Sequence, residues 1–243
     1  MLYLILSILI QVILIIHVIK TGRNQIWIWV LALLSLPGAI AYIVVELLPD
    51  VFRSRTAQRT ARGFKKAMDP TADLRRYENE ARVTGNVAAR QRYAEELSRQ
   101  GRHDDAIAQF RGALTGLYEH DPNLMLGVAR AQFGKGDATA ARATLDDLIR
   151  LNPDFKSPEG HLLYARALET EGNLQKAIEE YRVLATSYPG AEAAVRYAQL
   201  LNSQGRTEEA QKVARELLEQ ARIAPAHYRR AQKSWLDAAQ RLA

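Results

Sequence analysis

Residues 93–114 read YAEELSRQGRHDDAIAQFRGAL, and a stretch of the same pattern, YARALETEGNLQKAIEEYRVL, returns at residues 164–184. Each stretch has a glycine between two runs of helix-forming residues, and two further segments of the chain carry a glycine at the matching point. The four glycines are separated by 35, 36 and 33 residues, at Gly101, Gly136, Gly172 and Gly205. A period of this length is typical of stacked helical repeats, in which one supersecondary unit recurs along the chain.

Small residues occupy fixed positions around each glycine. Alanine stands seven residues before it and five residues after it, at Ala94, Ala129, Ala165 and Ala198 and at Ala106, Ala141, Ala177 and Ala210. Two helices can cross closely at such alanines, and the glycine can adopt the positive φ of the turn between them. A bulkier side chain usually follows nine residues after the glycine, where it would fill the space between repeats, at Phe110, Leu145, Tyr181 and Ala214. The pattern predicts four helical pairs.

These motifs resemble the tetratricopeptide repeat (TPR) family over residues 87–225. The chain departs from the family pattern because the usual early tryptophan is missing and Gln132 stands where an apolar residue is usual. The resemblance implies an all-α fold, a TPR-like α-solenoid within a domain of residues 71–243. The expected repeats cover residues 87–120, 122–155, 158–190 and 191–224.

Two helices are expected to cover the ends of this stack. Asp73 to Val83 reads as a single helix that ends before Gly85. A C-terminal capping helix is predicted over residues 225–242, with Tyr228, Trp235 and Leu242 on one face.

The first 50 residues have a different composition. Their only charged side chains are Lys20, Arg23, Glu46 and Asp50, and apolar runs cover residues 2–19 and 25–45. Each run is long enough to cross most of a bilayer, and the polar turn between them is short. The sequence therefore predicts an N-terminal transmembrane helical hairpin, a two-helix anchor of residues 1–50. No basic segment precedes the first run, which argues against a cleaved signal peptide.

Three polar residues in or beside the apolar runs are candidates for a functional role. Gln11 lies near the middle of the first run, where a hydrogen bond to the second helix or to a partner helix is expected. His17 and Glu46 lie near the ends of their runs, from which their side chains are expected to reach the headgroups. Pro37 is expected to bend the second helix because it removes a backbone donor.

The hairpin resembles the small N-terminal membrane module of phospholipase D-type nucleases and cardiolipin synthases. The resemblance is carried by Trp27-x-Trp29, by Pro37-Gly38 and by Tyr42. The catalytic part of that family requires His-x-Lys signatures, and none of the five histidines of this chain is followed by lysine two residues later. The resemblance therefore implies an anchor without the enzyme.

A basic juxtamembrane linker is predicted over residues 51–70. Its bases lie within a stretch that contains no acid, at Arg53, Arg55, Arg59, Arg62, Lys65 and Lys66. They either bind anionic lipid at the membrane surface or only set the topology of the hairpin. Because bases favour the cytoplasmic side, the sequence predicts a two-pass protein of the bacterial inner (plasma) membrane with a cytoplasmic C-terminal domain.

Composition argues against several functional classes. The net charge of +6 lies mostly in residues 1–70, and the remaining residues hold 25 bases and 24 acids, which argues against nucleic-acid binding. The absence of cysteine excludes disulfides and cysteine-ligated metal. No metalloprotease, phosphate-loop, nucleophile-elbow or dinucleotide motif occurs. We expect no cofactor, no metal and no enzyme activity.

The first helix of each pair is expected to line a concave groove for a protein or peptide partner. The expected groove residues are Gln91, Glu95, Leu126, Arg130, Phe133, Leu162, Arg166, Glu169, Val195 and Gln199. Their apolar members would form the centre of the groove, at Leu126, Phe133, Leu162 and Val195. Arg130 and Arg166 either form an anion-binding pair or pair with Glu95 or Glu169.

The function expected from these features is that of an inner-membrane-anchored TPR scaffold, an adaptor that holds a partner protein near the lipid bilayer. One alternative is a regulator or assembly factor for an envelope or membrane biosynthetic pathway. A membrane-lipid enzyme is a further alternative, suggested only by the hairpin.

Overall fold

The structure is a computed structural model, and it describes residues 2–21, 24, 26–47, 69 and 71–243. The chain forms two compact units, residues 1–72 and residues 73–243. The basic linker residues, from Arg53 to Lys66, lie outside the described residues.

The first unit contains two packed helices. Helix α1 spans Leu2–Thr21, helix α2 spans Ile26–Tyr42, and a π-helical turn follows at Ile43–Leu47. Leu14 and Val18 of α1 are buried together with Leu31 and Tyr42 of α2. These contacts hold the two helices against each other.

Polar side chains of the first unit form hydrogen bonds with other residues of the same unit. The amide of Gln11 donates to the Leu31 carbonyl oxygen at 2.9 Å, which confirms the hydrogen bond expected between the two helices. Contrary to expectation, His17 and Glu46 both have partners inside the unit. His17 Nδ1 lies 3.0 Å from the Tyr42 hydroxyl, and Trp27 Nε1 donates to Glu46 Oε1 at 2.9 Å.

Helix α2 is not straight. The rings of Trp27 and Tyr42 lie 5.3 Å apart, whereas a straight helix would separate these residues by about 22 Å. The helix therefore folds back near Pro37, as expected from the missing backbone donor. Among the described residues no helix is both long and apolar enough to cross a membrane. The predicted pair of transmembrane spans is therefore not supported.

The second unit consists of helices that follow one another without strands among the described residues. Helix α3 spans Ala72–Thr84. Four pairs follow, α4 (Val87–Arg99) with α5 (His103–Ala113), α6 (Pro122–Lys135) with α7 (Ala138–Leu151), α8 (Pro158–Thr170) with α9 (Leu174–Ser187), and α10 (Glu192–Ser203) with α11 (Thr207–Ile223). Helices α4, α6, α8 and α10 are the first helices of the pairs, and α5, α7, α9 and α11 are the second helices.

The turns within the pairs form as the sequence predicts. The four glycines between the paired helices have φ values from 75° to 95°, a region that residues with a Cβ rarely adopt. Side chains also cap several helices. Asp121 Oδ1 accepts from the Leu124 amide at 3.0 Å, and Ser157 Oγ accepts from the Gly160 amide at 3.0 Å. Each cap residue lies directly before the proline at which its helix begins, Pro122 in α6 and Pro158 in α8.

The helices of each pair meet at the predicted alanines. All eight are at most 1% exposed, which confirms that they lie at close helix crossings. Gly127 in α6 has a similar role between neighbouring repeats. A Cβ at Gly127 would lie 2.5 Å from the Phe110 ring of α5, so the ring packs directly on the α6 backbone.

The divergent Gln132 has a local explanation. Its side chain is 4% exposed, and its Oε1 accepts from the Thr144 hydroxyl of α7 at 2.8 Å. The pair replaces the usual apolar contact between first and second helix with a buried hydrogen bond.

The C-terminal cap differs from the prediction. Residues 225–242 were expected to form one helix but form two, α12 (Ala226–Ala231) and α13 (Lys233–Gln240). The break falls at Gln232, whose Oε1 accepts from the Ala191 amide at 3.1 Å near the start of α10. Leu236 and Ala239 of α13 then pack on the last repeat, with Trp235 partly buried beside them.

Ala129→Leu is expected to destabilise the repeat domain by about 1–3 kcal/mol, because the added atoms overpack the crossing of α6 with its partner helix. Urea unfolding of the full chain, followed by circular dichroism, measures the change. Ala143→Leu is the matched control, since Ala143 is an exposed alanine of α7. Equal midpoints for the two variants would contradict the close crossing.

Thr144→Val is expected to cost about 1–3 kcal/mol, because it leaves the buried Gln132 oxygen without its donor. Adding Gln132→Leu removes the unsatisfied group, so the double variant is expected to be more stable than Thr144→Val alone. The unfolding free energies of the original protein, the two single variants and the double variant give the coupling energy between Gln132 and Thr144. Strictly additive changes would show that the hydrogen bond contributes nothing.

Candidate functional site

A cavity of about 580 Å³ opens on the first helices of three successive repeats. We call it the first-helix cavity. The residues that line it come from α4, from the end of α5, from α6 and from the start of α8 with the preceding loop: Gln91, Glu95, Ser98, Arg99, Phe110, Asn123, Leu126, Gly127, Arg130, Phe155, Lys156, Ser157, Pro158 and Glu159. Four of the expected groove residues therefore lie together, Gln91, Glu95, Leu126 and Arg130.

The first-helix cavity combines apolar and polar side chains, and its polar groups are only partly satisfied. Gln91 Nε2 donates to Glu95 Oε1 at 2.9 Å. Ser98 Oγ is buried and has no hydrogen-bond partner among the described residues. Arg130 is exposed, and within the described part of the chain it makes no ion pair or hydrogen bond, so neither Glu95 nor Glu169 neutralises it.

The loop between the second and third repeats closes one side of this cavity. Lys156 Nζ donates to the Pro153 carbonyl oxygen at 3.2 Å, which holds the ammonium group over the loop. These loop residues were not predicted as site residues, because they lie outside the helical repeat pattern. The two prolines at 153 and 158 were the available signal, since they bound a short ordered connection.

Between the second repeat and the C-terminal cap, arginines alternate with aromatic and acidic side chains along the inner face. The Arg166 guanidinium lies 4.8 Å from the Phe133 ring centroid and 3.9 Å from Glu192. Glu192 also accepts from Arg196 Nε at 2.8 Å, and Arg196 lies 5.3 Å from the Trp235 ring of the cap. Arg166 therefore pairs with Glu192 rather than with Glu169, and a pair of Arg130 and Arg166 on one anion is not preformed.

Tyr188 lies among the charges of this face. Burial raises the pKa of its hydroxyl, and the carboxylates of Glu192 and Glu159 raise it further. Arg130 and Arg166 act in the opposite direction, so both guanidinium groups lie within electrostatic range of the hydroxyl.

Three residues expected at the apolar centre of the groove are core residues instead. Leu126, Leu162 and Val195 are at most 5% exposed. These side chains pack in the cores between neighbouring helices, although Leu126 also lines the first-helix cavity. Phe133 is partly buried, with the Arg166 guanidinium over its ring. The apolar side chains predicted for the centre of the groove are therefore largely buried.

The last two expected groove residues have separate positions. Glu169 Oε2 accepts from the Tyr181 hydroxyl at 2.6 Å, so it joins the two helices of the third repeat. Burial and this hydrogen bond raise the pKa of Tyr181 far above its usual value, which keeps the hydroxyl a donor. Gln199 is exposed on α10. In the described residues no group of three or more histidines and acids is placed to hold a metal ion.

Comparison with known families agrees with this architecture. Tetratricopeptide repeat families match residues 97–167 and residues 159–191. The comparison with curated proteins gives no significant match. The matches do not extend to the N-terminal hairpin, so its resemblance to the phospholipase D module is not supported.

Solved structures share the fold at low identity. MamA is 21% identical with a TM-score of 0.54, over 65% of this chain and 93% of that one. A thermophilic TPR protein of Thermus thermophilus, TTC0263, is 20% identical with a TM-score of 0.51, over 73% of this chain and 96% of that one. PilF of Pseudomonas aeruginosa is 18% identical with a TM-score of 0.52, over 70% of this chain and 77% of that one. Residues 97–191 of this chain therefore match tetratricopeptide repeats, and its repeat domain has the all-α solenoid fold of such proteins.

Proposed function

We propose that this protein is a membrane-attached adaptor whose first-helix cavity binds an acidic peptide segment of a partner protein. TPR proteins are generally scaffolds for protein–protein interaction, which supports a binding role. The observation that carries the proposal is the cavity itself, in which the Arg130 guanidinium makes no ion pair within the described residues.

The size and chemistry of the cavity support a peptide ligand. Its volume of about 580 Å³ falls within the range of ordinary ligand pockets and accommodates a few side chains. Arg130 and the Ser98 hydroxyl are donors without a partner in the described chain, and Asn123 adds an amide. Donors of this kind suit carboxylate and backbone carbonyl oxygens.

Side-chain contacts beyond the cavity, from Phe133 through Arg166 to Glu192, preorganise this part of the inner face. Phe133, Arg166 and Glu192 belong to three successive repeats, and each contacts the next. A preorganised surface loses less conformational entropy when it binds. Glu192 also neutralises Arg166 and Arg196. Arg130 therefore attracts an anionic group more strongly than these two arginines do.

The hairpin supports attachment to a membrane. Large apolar side chains cover its outside, with exposed fractions from 39% to 78%. They are Leu9, Val12, Ile13, Ile16, Ile19, Ile26, Trp29, Leu33, Leu34, Ile40, Ile43, Val44 and Val45. A surface of this kind is unfavourable in water and favourable in lipid.

The same proposal places the repeat domain on the cytoplasmic side of a bacterial inner membrane. The six bases between residues 53 and 66 support this orientation, because bases beside a membrane segment favour the cytoplasmic side. In the described residues nothing favours the envelope-assembly or lipid-enzyme alternatives over the adaptor.

Arg130→Glu is expected to abolish capture of the partner, because it replaces the unpaired cation of the cavity with a charge that repels an acidic segment. Crosslinking in cells, followed by affinity purification and quantitative mass spectrometry, measures the captured proteins. Arg111→Glu is the matched control, since Arg111 is an exposed arginine of the second helix α5. A partner that both variants retain would rule out the first-helix cavity as its site.

Removing residues 2–47 is expected to move the protein from the membrane fraction to the soluble fraction, because the exposed apolar side chains are lost. Sedimentation after alkaline carbonate extraction measures the distribution, and circular dichroism checks that the shortened protein keeps its helices. Full-length protein in the soluble fraction would contradict membrane attachment.

A reporter joined to the C-terminus, active only in the cytoplasm, checks the orientation of the full-length protein in the same cells. The cytoplasmic reporter is expected to be active. A reporter that works only in the periplasm, if active at the same position, would contradict the proposed orientation.

A further inference from the structure

A second cavity, of about 720 Å³, is lined by residues of the second and third repeats. It is bounded by the second helices α7 and α9, with α8 and the preceding loop between them, and we call it the second-helix cavity. Its floor is apolar, since Leu145, Leu148 and Leu184 are at most 5% exposed. Ile149 at its edge is 57% exposed, which extends the apolar surface outward.

Polar groups from three helices line the mouth of this cavity. His161 Nε2 of α8 lies 2.6 Å from Glu180 Oε2 of α9. The Tyr164 side chain of α8 lies within electrostatic range of Asp146 of α7. Burial and the nearby Asp146 carboxylate raise the pKa of Tyr164, so its hydroxyl stays protonated.

The carboxylates near this mouth exceed the cations that neutralise them. Arg142 serves two acids at once, with Nη1 2.7 Å from Asp146 and Nε 2.8 Å from Glu171. Glu171 Oε1 is buried without a hydrogen-bond partner among the described residues. Glu180 has an imidazole beside it, and Lys156 is the single lysine or arginine in the described lining. The local charge is therefore negative.

We propose that the second-helix cavity binds a basic segment of a partner protein in which an apolar side chain adjoins lysine or arginine. The apolar side chain fills the space over Leu145 and Leu184, and the cationic group lies between Asp146 and Glu180. The two interactions favour the same kind of segment. Burial of its apolar side chain supplies affinity, and the two carboxylates attract a positive charge and repel a negative one.

This site is separate from the first-helix cavity. The two cavities share Leu126 and the loop at residues 155–158, but they open on first helices and on second helices respectively. Asp146 and Glu180 line only the second, and Arg130 lines only the first. The second and third repeats, which line both cavities, can therefore hold an acidic segment in the first-helix cavity and a basic segment in the second-helix cavity.

The test measures fluorescence anisotropy of a labelled, capped heptapeptide that contains two leucines and three lysines, with the full-length protein in detergent. The double variant Asp146→Asn with Glu180→Gln is expected to bind about tenfold more weakly, since it removes both mouth charges and keeps their hydrogen-bond acceptors. The matched control is Asp147→Asn with Glu179→Gln, which makes the same charge change at the neighbouring exposed acids.

The control variant is expected to change the affinity by less than about twofold, because exposed charges contribute little. Ile149→Ser changes an exposed side chain without a charge change and is expected to weaken binding as well. Equal losses in the two double variants would show nonspecific attraction and overturn the site. Unchanged affinity in Asp146→Asn with Glu180→Gln, or equal binding of a heptapeptide with glutamates in place of lysines, would overturn it too.

Arg130→Glu in this assay separates the two proposals. It is expected to leave binding of the basic heptapeptide within about twofold, because Arg130 lines only the first-helix cavity. A large change would mean that the heptapeptide occupies the first-helix cavity, and the second site would then be rejected.

Discussion

Paired helices cross at buried alanines in every repeat of this protein, and the rest of the repeat domain depends on that close approach. A methyl group is the largest side chain that allows two helices to pack backbone near backbone, and all eight alanines are almost fully buried. The glycine turns follow from the same constraint, because a second helix that packs so closely must begin immediately after the first one ends. Gly127 extends the rule to the contact between repeats, where Phe110 lies on the α6 backbone.

Close packing also determines what the inner face displays. Leu126, Leu162 and Val195 are buried in the core, so the inner face displays charged and polar side chains beside apolar ones such as Phe155. Under the proposed function, charge and hydrogen bonding select the partner. The row from Phe133 to Trp235 fixes several of these charges in internal contacts, whereas Arg130 has no ion-pair partner in the described part of the chain. A rigid face with an unpaired cation is well suited to selecting partners by the position of an acidic group.

The two cavities differ in the charged side chains that line them. Arg130 lies in one and the Asp146 and Glu180 carboxylates lie in the other, with the loop at residues 155–158 bordering both. A divergent connection between the second and third repeats therefore shapes both candidate sites. Scaffold proteins benefit from such an arrangement, because two partners held on one rigid element are brought to a high effective concentration.

Contacts within a repeat could be read from the sequence, because they follow from helix periodicity and from the spacing of glycine and alanine. The four helical pairs, the buried alanines and the positive-φ glycines belong to this class. The position of Gln11 in an apolar run likewise predicted a hydrogen bond to the second helix or to a partner helix, and its amide bonds Leu31 of the second helix. Contacts between repeats depend on the small rotation from one repeat to the next, which no spacing along the chain records. That rotation decided that Leu126, Leu162 and Val195 are buried, that Arg166 meets Glu192, and that a cavity opens between α7 and α9. The bend of α2 near Pro37 was predicted from the sequence, but the sharpness of the fold-back, which brings Trp27 to Glu46, was decided by tertiary contacts. The break at Gln232 was decided in the same way, by the hydrogen bond that joins it to the Ala191 amide across a long sequence separation.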